Sequence, residues 1–326
     1  MRTRSLLALP ALAGLALLAT RLSPGPQPDG TTLLPSGWRI RPAGRVVGVG
    51  TLPLNLVTLS DGSLLVSNDG YGANGLMRID PVTGEVVWRT ALHAAWLGLV
   101  RTGRDWRDTV WVSGAGTNRV YRLAWQGGMT WTFDSVALAD TSAHLYPAGI
   151  ANVASQGLVA VVGNLSDSVY LIDAASLTRR GAAAVGHRPY TVVADSTHLY
   201  VSNWADSTVS VVALGGPGVQ ASDPTTIFVG PHPSALALSG SDLYVALAGA
   251  NSVARVDLRG GSVAEQVTLA LAPHAPTGSD PNALAITSDG RTMYVALAGS
   301  NAVAVLHRSR TGLRVEIGRA SCRERV

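Results

Sequence analysis

Lysine is absent from this 326-residue chain, cysteine occurs once and phenylalanine twice; all 25 basic residues are arginine. The lone Cys322 excludes an internal disulfide, a cysteine-zinc site and an iron–sulfur cluster. No 3.6-residue apolar period appears after the first two dozen residues, which excludes helical repeats. Nor is there a G-x-S-x-G elbow, an H-E-x-x-H pair or a phosphate-binding glycine loop, so no nucleophile–base pair is legible.

What is present begins with two unusual ends. Arg2 and Arg4 precede an apolar run over residues 6–19 and a Pro/Gly-rich stretch, the pattern of a secretory signal. The run is shorter than the roughly 20 apolar residues of a membrane span, so cleavage is expected rather than anchoring. Residues 317–326, "IGRASCRERV", share no composition with what precedes them. Back-translated, they resemble a common sequencing adapter and are read as an assembly scar. The division expected is a signal peptide at 1–24, a linker at 25–44, an incomplete β-propeller at 45–316 and the artefact at 317–326. Setting aside Arg2, Arg4, Arg21, Arg319, Arg323, Arg325 and Glu324 leaves 19 arginines against 20 carboxylates, so the formal charge of +4 belongs to the ends. A near-neutral body without a basic run gives no reason to expect a nucleic-acid partner.

The body is a repeat. Units begin at Pro53, Gly98, Pro147, Pro189, Pro233 and Pro281, spaced by 45, 49, 42, 44 and 48 residues. Each reads as apolar alternation, a polar turn, a second apolar run such as "LYVSN", another Gly/Asn/Ser/Asp turn, a third run and a weaker fourth. The "SDG" triplets at 60–62 and 288–290 suit tight hairpins, because Asp–Gly supplies left-handed backbone. Four period-two strands per unit of about 45 residues predict an all-β fold, a β-propeller of four-stranded blades. Six repeats are visible, and a seventh is expected beyond residue 316. The alternative is a six-bladed ring in which "RVVGVG" at 45–50 supplies a closing strand.

"LYVSN" at 199–203 and "LYVAL" at 243–247 resemble the name-giving strand of the YVTN/YncE-type bacterial β-propellers, a likeness that runs over about residues 33–310. The stretch from Leu33 to Val87 further resembles the opening of two-domain proteins in which such a propeller precedes a phosphoesterase of the alkaline-phosphatase superfamily. That resemblance implies a catalytic domain beyond residue 316, with none of its metal ligands in this chain. The signal pattern implies a periplasmic or secreted protein, and a monomer is expected.

Five of the seven histidines fall in loops entering the first strand of a repeat: His93, His144, His187, His232 and His274. Arg188 and Asp280 share that collar. Converging imidazoles suit a transition metal, whereas arginine with histidine suits an anionic small molecule, a peptide or a protein at the channel mouth. The same recurrence also reads as a compact turn before each proline. Asp69, Asp167 and Asp206 read as caps of separate outer turns rather than a calcium site, and the "NLS" triplet at Asn164 as a turn. Six of eight tryptophans (Trp88, Trp96, Trp106, Trp111, Trp125, Trp131) crowd the second repeat, with Trp111 in the slot of Tyr200 and Tyr244, between neighbouring sheets. The expectation is a non-catalytic binding or scaffold module that holds no cofactor or metal; a lactonase-like hydrolase or a metal-binding propeller is the alternative.

Overall fold

The computed structural model describes residues 23–33, 38–42, 46–72, 74–103, 108–127, 130–140, 142–215, 224–270, 277–310, 312–316 and 321–325. The signal segment, Trp106 and His274 lie outside them. The chain divides into two compact units, Met1–Val46 with Arg319–Val326, and Val47–Gly318.

The larger unit holds six four-stranded antiparallel sheets, each built from four consecutive strands. These blades 1 to 6 open with Pro53–Thr58, Leu99–Arg101, Pro147–Val153, Pro189–Ala194, Pro233–Ser239 and Pro281–Ile286. All six repeat starts fall at or within one residue of a first strand. Five apolar clusters join the six blades, each drawn from two blades consecutive in the chain. Burial follows from that stacking. Second strands such as Leu158–Gly163 and Asp242–Leu247 are covered on both faces, whereas the outer Ser262–Thr268 alternates exposed and half-buried. A fully buried Leu or Val in these seams contributes about 2 kcal/mol.

Trp111, Tyr200 and Tyr244 pack in the seams as expected, and Tyr170 joins them. Three of them keep a polar tip satisfied: Trp111 Nε1 donates to Thr102 (3.0 Å), Tyr170 to Ser166 (3.0 Å) and Tyr200 to Asp195 (2.8 Å). The "SDG" turns form as read. Gly62 and Gly290 take φ of 83° and 68°, and Asp61 and Asp289 accept the N–H of Ser63 and Arg291 (3.0 Å each).

The smaller unit contains a seventh four-stranded sheet of Gly25–Pro26, Thr32–Leu33, Trp38–Pro42 and Ser321–Arg325, paired in that order. Its origin differs from the one expected. The segment 25–44, read as a linker, supplies three strands, and the fourth lies within the foreign-looking tail, with Arg323 opposite Ile40. Residues 46–50 of "RVVGVG" form no strand. Their Gly–Val alternation was the signal that misled.

Candidate functional site

In blades 3 to 6 the first strand begins with a proline, and the residue before it turns the chain. Tyr146, Arg188, His232 and Asp280 take left-handed φ of 54°, 54°, 50° and 46°. For a residue with a Cβ this costs about 1–2 kcal/mol. The turn is held by paired backbone bonds within its own blade. The N–H groups of Asn164, Trp204, Ala248 and Ala298 donate to the carbonyls of those four residues, at 3.1, 3.1, 3.0 and 3.1 Å. The next N–H in each case, from Leu165, Ala205, Gly249 or Gly299, donates to the carbonyl one residue earlier. Proline cannot donate, so the ladder slips just after it in these four blades. The strand-entry loop and the second hairpin turn thus form one upper edge on these four blades, and in blade 2 the entry-loop Trp96 N–H likewise donates to Ser113, next to the second turn.

At the blade 3–4 seam that edge gathers charge. His187 Nδ1 bonds Asp167 Oδ2 at 2.7 Å, and the His187 N–H donates to Asp206 Oδ2 at 2.5 Å. The Arg188 N–H donates to the other Asp167 oxygen at 2.9 Å. Asp167 of blade 3 and Asp206 of blade 4 sit in separate turns and each accepts a backbone N–H, as read, and beyond that expectation the two meet on one histidine. Gly186 makes this approach feasible, since a Cβ there would lie 2.6 Å from Asp206 Oδ2 and from Asn203 Cγ.

The electrostatics follow. The Asp167 hydrogen bond, then the charges of Asp206 and Asp167, raise the His187 pKa above its ordinary 6.5. Partial burial pushes Asp167 up, but the Arg188 N–H, the His187 bond and the neighbouring cations together leave it below the usual carboxylate value. The His187 side chain is 73% exposed, and its Nε2 has no partner among the described residues.

Beside it, at the blade 4–5 seam, the Trp204 indole stacks on His232, with centroids 4.0 Å apart and planes 9° apart. Trp204 and Asp206 sit in one turn, pinned to the carbonyls of Arg188 and His187, so stack and ion pair are neighbours. The remaining collar residues stand elsewhere. Asp280 is an exposed turn residue at the entry to blade 6, and His144 is exposed at the entry to blade 3. His93 lines a separate cleft in blade 2. Among the described residues no three His, Cys, Asp or Glu side chains are placed to hold a metal ion. Trp204 was missed by sequence reasoning; the signal was its place two residues before Asp206, in a turn shared with the collar.

A family model described as lactonase, 7-bladed β-propeller, matches residues 165–320, from the second turn of blade 3 onward. No curated protein matches the chain. Among solved structures, a virginiamycin B lyase from Staphylococcus aureus is 13% identical with a TM-score of 0.66, covering 86% of this chain and 89% of its own. A candidate 6-phosphogluconolactonase from Bacteroides uniformis is 15% identical with a TM-score of 0.65, covering 87% and 91%. At such identities the likeness is one of fold: this chain is an all-β propeller of four-stranded blades.

Proposed function

We propose that this chain is a non-catalytic β-propeller binding module, exported to the periplasm or secreted, whose ligand docks on the upper edge of blades 3 to 5. One observation carries the reading: His187 offers Nε2 to solvent beside the exposed Arg188, next to the stacked Trp204 and His232. An imidazole and a guanidinium suit an anionic group, and the aromatic pair suits a flat or apolar face beside it. A peptide carrying a free carboxylate, or a small organic anion, has that chemistry. Open solvent around His187 favours binding over acid–base chemistry, which gains from excluded water. The likeness of residues 33–87 to the opening of two-domain proteins supports a module that precedes a phosphoesterase and acts as a monomer presenting or recruiting substrate.

A lactonase-like hydrolase is the second reading, favoured by the matched residues 165–320, which contain both the Asp167–His187 pair and the Trp204–His232 stack. There Asp167 would orient His187 as a general base toward water.

One experiment separates them. The chain is titrated with short peptides bearing free or amidated C-termini while the Trp204 indole and His187 ring are followed by NMR, and is assayed in parallel on a δ-lactone panel. The binding reading expects shifts with the free carboxylate only, and no turnover. Turnover that disappears in His187→Ala overturns it in favour of the hydrolase.

A further inference from the structure

We propose that blade 2 carries a second site, for a small hydroxylated organic anion, centred on Arg119. The starting point is how this protein treats arginines that leave the surface. Among the described residues, six are buried or half-buried: Arg39, Arg78, Arg101, Arg119, Arg122 and Arg255. Five meet a carboxylate, on Asp29, Asp61, Asp108, Asp134 and Asp242 respectively. Arg119 does not. Its Nε and Nη2 share one neutral acceptor, the Ser135 hydroxyl, at 3.0 and 2.8 Å. A half-buried guanidinium without a counter-charge keeps its charge for a ligand, because a hydroxyl neutralises nothing.

The surroundings point to what supplies the missing charge. Arg119 opens on a cleft of about 1010 Å³ at the upper edge of blade 2, lined also by His93, Thr117, Tyr121, Ala137 and Asp140. That volume is at the upper end for small-molecule sites, roughly 300–1,000 Å³. The exposed Asp140 lines the same cleft without forming an ion pair with Arg119, so cation and carboxylate each keep capacity for a ligand. Tyr121 also lines the cleft, its hydroxyl donating over a long 3.5 Å to Thr117 Oγ1. The geometry fits a carboxylate or phosphate on the Arg119 fork, with a ligand hydroxyl donating to Asp140. This site shares no residue with the blade 3–5 edge, so its test is independent of the function proposed there.

The probes are glycerate, glycerol 3-phosphate and uncharged glycerol, followed on the intact chain by saturation-transfer NMR and calorimetry. Glycerate or glycerol 3-phosphate is expected to bind in the millimolar range, and which of the two is tighter identifies the anionic head. Glycerol is expected to give no signal. Arg119→Gln should weaken the anion by about tenfold, the scale of one charge-assisted pair. Ser135→Ala removes only the neutral partner, leaves the guanidinium in place and should bind at least as tightly. Equal binding of glycerol, unchanged affinity in Arg119→Gln, loss of affinity in Ser135→Ala equal to that in Arg119→Gln, or no binding of either anion at about 50 mM, a Kd beyond the useful range of such sites, overturns the proposal.

Discussion

The two edges of the blades use carboxylates in opposite ways. On the lower edge, where first strands end and second strands begin, Asp108 is 2% exposed and is bonded by the Ser60 N–H and hydroxyl and by Arg101. Asp242, equally enclosed, takes Arg255 at 3.2 Å and Arg308 at 2.5 Å. Arginine is the cation there, permanently charged and forked to match a carboxylate. On the upper edge Asp167 and Asp206 converge on an exposed histidine, a cation that exists over only part of the pH range. The lower pairs tie strands together within and between blades; the upper group leaves a ring nitrogen facing water. One chemical pairing is spent on holding sheets at one end and kept available at the other.

Asp242→Ala is the sharpest way to break this contrast. It leaves Arg308 without its carboxylate and the half-buried Arg255 with Glu265 alone, and should lose about 3 kcal/mol in urea denaturation; a loss below about 1 kcal/mol, the scale of exposed pairs, would put the lower edge in the same class as the upper. Gly186→Ala comes next. Its Cβ would meet the buried Asn203 and the Asp206 carboxylate, so a loss of about 2 kcal/mol is expected, with Asp206 displaced from His187 in a crystal structure. The smallest effect is electrostatic. An NMR titration should place the His187 ring above 6.5, with Asp167→Asn lowering it further than Asp206→Asn. Because the folded pKa of His187 is raised, its contribution to stability is whole below the ordinary histidine value and disappears as pH climbs through the raised one. Asp167, held low, contributes above the ordinary carboxylate value of 3.8 and stops contributing as pH falls through its own. The pair therefore acts in the window between the two, and equal effects of the two Asn variants would sink the assignment of Asp167 as the main partner.

Much of the fold was legible because the blade repeats a local pattern. Prolines 147, 189, 233 and 281 mark first strands, since a donor-free residue is tolerated where the ladder begins, and period-two runs mark the rest. The seventh sheet was not legible: Gly25–Pro26 and Thr32–Leu33 are two residues each, too short to show alternation, and Trp38–Pro42 pairs with a strand about 280 residues later. At the candidate site, the placement of His187, Arg188, His232 and Asp280 at blade entrances was readable, and so was the turn they form. The convergence of Asp167 and Asp206 was not, because one comes from the preceding blade and periodicity carries no record of how neighbouring sheets are rotated. Arg119 escaped for a related reason. Its lack of a carboxylate is visible only beside five buried or half-buried arginines that have one.

The left-handed residue before prolines 147, 189, 233 and 281 governs how this surface can change. Its main chain is committed by its left-handed conformation and by the hydrogen bond that its carbonyl accepts, whereas the side chain at that position varies in kind. Tyrosine, arginine, histidine and aspartate occupy that one address in blades 3 to 6, at the same φ within 8°. The propeller thereby separates the grammar of its turn from the vocabulary of its recognition, and a different ligand can be written into the edge by exchanging letters whose backbone the turn fixes but whose side chains it leaves to vary.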